Sequence, residues 1–440
     1  MGFMKTKNVC TFMAVVSVCS GLLTGCGNDN SPAAPATTIL YTSDAHYGIK
    51  RSVVANSTFG NLSSAQQVNG AMIGVMNSLQ TAALPSDGGI NAGQTLGAVD
   101  FVVETGDAVN RAEKTIYPRK NALAKEVWPQ FAADYITALN VKDRAGNKAQ
   151  FYMTPGNHDV SNAIGYWKGT LSTTAGLDAT SYVEIYKVMN PTTTLTNTSF
   201  IGSPADYATA ATSYLNNRLV KSKDVNGVHF VFVGMWPDST ARTLIDNDLK
   251  NVSATTPVIL FTHDQPDAEA KHFSDPNNPP PSAIMANQFE NLLTDTFADT
   301  LSFGTPYSDA AGTSGTVLIP SLIEQRNLVT WLKTHKNIVA YFHGNDNRNE
   351  FYTYPTTDTT SPNYLGAGYN INLNVFRVDS PMKGTISGID AADGKGDPTK
   401  LSFQIISIDS GAKNMTVREY LWNTKTWGVS KTVSLAPRAL

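Results

Sequence analysis

A chain of 440 residues has room for one large domain or two of average size, each with an ample core. Its 33 basic and 36 acidic residues leave a net charge of −3 and are dispersed, which excludes the clustered basic surface of a nucleic-acid-binding protein. Only 16% of residues are charged while Ser, Thr and Asn abound, so the surface is neutral and hydroxyl- and amide-rich, unlike a disordered or coiled-coil chain.

Residues 1–25 read as a processing segment. Lys5 and Lys7 precede an apolar stretch from Val9 to Leu23, too short to span the ~30 Å of a bilayer's hydrocarbon as a helix. The stretch ends in Leu23-Thr24-Gly25-Cys26, which resembles a bacterial lipobox. That resemblance implies cleavage before Cys26, lipid on its sulfur, and a membrane-anchored protein of the bacterial cell envelope, on the periplasmic side or the outer surface. The other cysteines, Cys10 and Cys19, lie within the signal, so the body has no thiol for a disulfide or zinc-thiolate site. Residues 26–38 read as a flexible tether, and 39–435 as the folded domain.

The first strand is expected at Ile39-Leu40-Tyr41, running into Asp44-Ala45-His46. A helix follows from about Ser64 to Ala83. Phe101-Val102-Val103 leads into Gly106-Asp107, and apolar spacing predicts a helix over Asn121 to Leu139. Phe151-Tyr152-Met153 leads into Gly156-Asn157-His158-Asp159. Residues 160–226, rich in Thr, Ser and Ala, form an insertion longer than a connecting loop, with a helix near Ala205 to Val220. Val228 to Gly234 is a strand, and a helix near Thr240 to Val252 feeds the strand Val258 to Phe261, which ends at Thr262-His263. Residues 264–320 form a second insertion, with a helical stretch around Met285 to Phe297. Ser321 to His335 reads as helix and Asn337 to Phe342 as strand, followed by Gly344-Asn345-Asp346-Asn347. Asn370 to Val375 alternates with period two, as a half-buried antiparallel strand does, and Leu401 to Ile408 with Met415 to Trp422 reads as a hairpin. Alternating α and β units followed by antiparallel strands fit two mixed sheets with helices outside.

Each motif follows an apolar, β-prone run, and the carboxyl end of a buried strand is where open α/β sheets place their chemistry. Carboxylates, imidazoles and an amide brought to one rim suit a pair of Mn, Fe or Zn ions better than a lone Mg or Ca. The implied chemistry is metal-assisted hydrolysis.

The series Asp44-x-His46, Gly106-Asp107, Gly156-Asn157-His158-Asp159 and His263 resembles the calcineurin-like metallophosphoesterase superfamily over Ile39 to Asn347, with the GNHD of "YMTPGNHDV" its most specific element. The resemblance implies a four-layer α/β/β/α sandwich of two mixed β-sheets. It also implies a binuclear metal centre that hydrolyses phosphate monoesters or diesters by a metal-bridging hydroxide. The alternative is a degenerate, catalytically weak member that binds a phosphorylated ligand at the cell envelope. By the family's pattern Asp44 and His46 bind one metal, Asp107 bridges, and Asn157 and His263 bind the other. His158 contacts phosphate and protonates the leaving group, with Asp159 orienting its ring. Where the family has G-H-x-H, this chain has Gly344-Asn345-Asp346-Asn347. Asn345 and Asn347 would then ligate in place of imidazoles, unless Asp346 or His343 substitutes.

Arg111 and Asn110, just after the Gly106-Asp107 turn, are candidates for substrate binding, Arg111 through a phosphate oxygen. His229 is expected to be a hydrogen-bonded core residue and His335 to face solvent at a helix end. His272, beside Lys271, is expected at the surface of the second insertion, or else over the substrate.

Overall fold

Three mostly apolar strands form one end of the first sheet, the third of them at its edge. Strand β1 (Thr37–Thr42) pairs in parallel with β2 (Phe101–Glu104), and β2 with β3 (Gln150–Met153). The computed structural model describes residues 36–53, 62–111, 122–164, 177–201, 207–268, 272–274, 292–296, 303–308, 314–318, 322–361, 363–384 and 398–440. The lipobox, Lys271 and residues 285–291 of the expected helix lie outside them.

The remaining sheet strands are β4 (Val220–Val225), β5 (Val228–Val233), β6 (Val258–Phe261), β7 (Ile338–His343), β8 (Glu350–Tyr354), β9 (Leu373–Arg377), β10 (Ser402–Ile408), β11 (Asn414–Leu421) and β12 (Thr426–Ser434). One six-stranded sheet runs β12-β11-β10-β1-β2-β3 and the other β8-β9-β7-β6-β5-β4. Both are mixed: β1, β2 and β3 are parallel in the first, and β9, β7, β6 and β5 in the second. Register decides where the loops emerge. Thr42 sits opposite Glu104, and Glu104 opposite Met153, so the loops after β1, β2 and β3 leave at one level. Phe261 sits opposite Phe342, which does the same for β6 and β7.

Rings interlock between the sheets. Tyr41 meets Phe261 at 5.3 Å and Phe342 at 5.4 Å, both edge to face, and Phe101 meets Phe230 at 5.1 Å. The outer face of the first sheet is covered by α1 (Ala65–Ser78), through Val68, Met72 and Met76. Behind the second sheet, Leu260, Ile338 and Val375 share a buried cluster with Ile245 of α7 (Ser239–Leu249) and Leu328 and Leu332 of α8 (Leu322–Thr334). The result is an α/β/β/α sandwich, as expected.

Helix α1 starts where a capping box fixes it: Ser64 Oγ accepts from Gln67 N at 3.1 Å and Gln67 Oε1 accepts from Ser64 N at 3.2 Å. It ends at Ser78, with only a 3-10 turn at Leu79–Thr81 beyond. Helix α2 (Ala124–Phe131) contains Pro129 and continues as a π-helical segment, Ala132–Ala138. The first insertion carries α3 (Asn157–Ile164), α4 (Thr180–Met189), α5 (Asn197–Ile201) and α6 (Tyr207–Asn216).

Several expectations need correcting. The segment ending near Phe297 is not helical at Leu293–Thr296, which instead pairs in parallel with Phe273–Ser274. A hairpin, Phe303–Ser308 with Ser314–Leu318, occupies more of the second insertion. Strand β9 is antiparallel only to β8; its other neighbour, β7, is parallel. Near the end of the described residues, the buried guanidinium of Arg438 donates to the carbonyls of Leu332, Ile338 and Ile371.

Candidate metal centre

The loops that leave β1, β2, β3, β6 and β7 meet at one rim. Asp44 N donates to Gly106 O at 2.9 Å, His46 N to Asp107 O at 2.8 Å, and Gly344 N to His263 O at 3.0 Å. Asp44, His46, Asp107, Asn345 and Asn347 all hold left-handed backbone, with φ of 59°, 43°, 57°, 63° and 53°. Non-glycine residues rarely sit there, and such strain gathers at functional sites. The approach is close enough to require glycine. A Cβ on Gly106 would overlap the backbone of Gly156, one on Gly156 would overlap Asp107, and one on Gly344 would overlap Ser43 and Asp44.

Two groups of possible ligands result, His46-Asp107-His158 and Asp44-Asp107-His263, each with its ligand atoms within 4.8 Å of one another. Asp107 belongs to both. His46 Nε2 lies 3.4 Å from Asp44 Oδ1 and 3.5 Å from Asp107 Oδ2, while His263 Nε2 lies 3.5 Å from Asp107 Oδ1. His263 Nδ1 is 2.8 Å from the Thr105 carbonyl, so it must donate; in the neutral ring Nε2 then turns a lone pair towards Asn157 Oδ1, 3.0 Å away. Both ring nitrogens of His46 and Asp44 Oδ1 are buried without a hydrogen-bond partner. Buried polar atoms left unpaired are costly, and lone pairs that converge are reconciled by a cation. The donor set therefore fits the metal ions that the sequence implies.

Electrostatics agree. Burial, then the charge of Lys383, pushes the His46 imidazole down to about 3, which keeps it neutral and able to ligate. Burial pushes the Asp107 carboxyl up to about 7, with Asp44 and Asp159 adding to the rise against the pull of His263. Burial also works to raise Asp44, but His46 and His263 outweigh it and hold that carboxyl at about 2. Burial would lower His263, yet Asp107 and Asp44 hold it above its ordinary value. A tight nest of carboxylates and imidazoles is high in energy without added positive charge.

His158 differs from the ligands. Its Nδ1 accepts the Arg111 N–H at 2.9 Å, so the neutral ring carries its proton on Nε2. That Nε2 lies 3.6 Å from Asp107 Oδ2, which makes His158 a proton donor at the rim and not a lone-pair ligand. The Nδ1 position, where the resemblance would set Asp159, is thus taken by a backbone amide. Asp159 instead accepts from Gly156 N at 3.1 Å and Ala108 N at 3.3 Å, tying the Gly106-Asp107 and GNHD loops together. Arg111 reaches the site through that N–H, and Asn110 Oδ1 is a buried acceptor without a hydrogen-bond partner.

His343 has both ring nitrogens engaged, Nδ1 with Gly344 O and Nε2 with the Tyr352 hydroxyl, each at 2.9 Å. Asp346 is paired with Arg377 and Arg348. Asn345 N donates to Asp44 Oδ2 at 2.9 Å, and its NH2 group donates to Asp264 Oδ1 and Gln265 Oε1, each at 2.9 Å. Asn347 donates to the Asn345 carbonyl, and its buried Oδ1 has no hydrogen-bond partner. His272, expected at the surface, is fully buried, with Nδ1 2.6 Å from Asp264 Oδ2. It thus contacts the carboxylate whose other oxygen accepts from Asn345. His229 is a core residue as expected, held by Asp224 and Asp248 at 2.8 and 2.9 Å. His335, expected in solvent, is half-buried, 3.2 Å from Asp246.

Lys383 escaped the sequence reading. Its Nζ lies 3.3 Å from His158 Nε2, in a turn after β9. The available signal was strand direction: a parallel β9 sends its following loop to the same rim as β7.

A family model for calcineurin-like phosphoesterases matches residues 37–290. Among solved structures, the purple acid phosphatase of yellow lupin seeds is similar at 10% identity and a TM-score of 0.42, over 91% of this chain and 54% of that one. This chain therefore spans about half the length of the lupin enzyme. A dimetal phosphatase from Danio rerio is similar at 8% identity and a TM-score of 0.40, over 92% of this chain and 99% of that one. No curated protein matches.

Proposed function

Because this chain belongs to the calcineurin-like phosphoesterase family, hydrolysis of phosphoester bonds is its class of reaction, and we propose that it hydrolyses phosphate monoesters or diesters at a two-cation centre. The observation that carries the reading is the placement of the buried Asp107 carboxylate, one oxygen 3.5 Å from His46 Nε2 and the other 3.5 Å from His263 Nε2. Asp44, His46, Asp107 and Asn347 would hold one cation; Asp107, Asn157 and His263 would hold the other, with Asn345 offering its side-chain oxygen. Carboxylate, imidazole and amide ligands together favour Mn, Fe or Zn. When bound, such cations neutralise phosphate charge and make water nucleophilic at neutral pH.

The protein's own groups do the rest. The Nε2–H of His158 donates to the leaving oxygen, and the backbone N–H of Arg111 on Nδ1 fixes the tautomer that makes this possible. Asp159 holds the two loops in register through backbone amides. Arg111 and Asn110 are proposed to flank the bound phosphate. No Ser or Cys nucleophile motif accompanies the site, so a covalent intermediate forms no part of the reading. The replacement of two family histidines by Asn345 and Asn347 favours a second reading, in which a phosphorylated ligand is bound without turnover.

We also propose that Cys26 carries a lipid and anchors the protein in a bacterial cell envelope, which rests on the Leu23 to Cys26 motif. Metal analysis followed by a panel of monoesters and diesters, assayed with Mn and with Zn, tests the catalytic reading. Metal-dependent turnover of either ester class supports it; phosphate binding with no turnover on the panel favours the second.

A further inference from the structure

We infer that Lys383 and His158 together form an anion seat beside the metal centre that takes the oxygens of a dianionic phosphate, so that monoesters are preferred to diesters. The inference rests on the phosphoesterase reading above and names its substrate class.

The turn that carries Lys383 is fastened to the site. Ser380 Oγ donates to the Asp44 carbonyl at 2.7 Å and accepts from Lys383 N at 2.9 Å and Met382 N at 3.3 Å. Ser380 N in turn donates to Asp379 Oδ1 at 2.9 Å. Gly384 N closes the turn on Ser380 O at 2.8 Å, and a Cβ there would overlap both that oxygen and the Asp379 carboxylate. The residue that presents the lysine is thus bonded to the same loop that presents Asp44.

The chemistry of the pair points to an anion. With Arg111 N–H on Nδ1, the neutral His158 ring is a donor at Nε2, and an ammonium has three donors and no acceptor. Two donors 3.3 Å apart cannot bond each other, whereas one oxygen between them bonds both. Lys383 is half-buried, and its charge is felt at His46 and Asp107, so it faces the metal cluster. A phosphate monoester at neutral pH brings two negative charges and three non-bridging oxygens; a diester brings one charge and two. Charge-assisted hydrogen bonds are about twice as strong as neutral ones, so a fixed ammonium discriminates for the dianion.

The test uses the metal-loaded protein and its Lys383→Met, Lys383→Gln and Lys383→Arg variants, with metal content measured for each. Inorganic phosphate binding is read by calorimetry, and kcat/KM is read on 4-nitrophenyl phosphate and on bis(4-nitrophenyl) phosphate. The Met and Gln variants should bind phosphate ~10-fold or more weakly. They should lose a similar factor on the monoester, stay within a few-fold on the diester, and keep their metal. The Arg variant should recover most of the phosphate affinity. Phosphate affinity in both neutral variants within twofold of the parent, or equal losses on both esters, would overturn the inference. If the parent hydrolyses neither ester, the phosphoesterase reading fails; the calorimetric comparison still decides whether Lys383 seats the anion.

Discussion

Asp107 meets opposed demands at a single side chain. It sits where two ligand groups overlap, and the same burial that shapes the site pushes its carboxyl up to about 7. A folded-state value above the unfolded one means the folded protein holds the proton more tightly, so this contribution to stability is complete below about 4 and is lost as pH rises towards 7. The metal-free Asp107→Asn variant lacks that loss. Its melting temperature relative to the metal-free parent should therefore rise by several degrees between pH 4 and pH 8, measured by scanning calorimetry. A difference that stays constant with pH would show that Asp107 is not the group under strain. His158→Ala should slow hydrolysis of alkyl phosphates by ~10²–10⁴-fold and of aryl phosphates far less, since a nitrophenolate leaves without a proton. Equal losses would assign His158 to binding alone. At this scale the sequence was informative where residue type limits the chemistry: Asp44, His46, Asp107, His158 and His263 converge as their motifs suggest. It was silent on Lys383 and placed the buried His272 at the surface, because a lysine in a turn and a histidine in an insertion carry no spacing to read.

Elements were legible in proportion to their burial. The four motif strands β1, β2, β3 and β6 are apolar runs, and each was visible as such. The strands of the two six-stranded sheets that escaped, β4, β8 and β12, all lie at sheet edges, where polar and charged side chains protect the open backbone from pairing. Val220-Lys221-Ser222-Lys223-Asp224-Val225 shows this most plainly. The period-two pattern of Asn370 to Val375 located a strand but not its direction, since alternation reports a half-buried face and not which neighbour is parallel. That single ambiguity hid the Lys383 loop. Contacts between elements also make a prediction about glycine. Gly344→Ala would drive a methyl into Ser43 and Asp44, and overpacking of this kind costs about 1–3 kcal/mol. Because the displaced group is Asp44, retained metal after dialysis should fall along with the melting temperature. A variant with full metal and unchanged melting would show that the β7 loop yields without moving Asp44.

At the scale of the whole molecule, the sandwich was legible because alternating αβ units followed by antiparallel strands admit few layer arrangements. The second insertion was not, since its composition favours no element; its described parts include two short β pairs, and one strand of these, Leu293–Thr296, stands where a helix was expected. The lipid anchor is a separate claim about the chain, carried by Cys26. Cys26→Ser should shift the protein from the detergent-extracted to the soluble fraction or leave an uncleaved precursor, since stable anchoring needs two lipid signals and a single chain binds only marginally. Unchanged partition into the membrane would rule out lipid on that sulfur.

The central claim is that one carboxylate, Asp107, joins two cation sites. Metal stoichiometry by mass spectrometry, on the parent and the Asp107→Asn variant purified side by side, tests it most directly. About two transition-metal ions per parent chain are expected and at most about one in the variant, with the fold intact by circular dichroism. Two ions retained in the variant, or none in a correctly folded parent supplied with Mn and Zn, would contradict it.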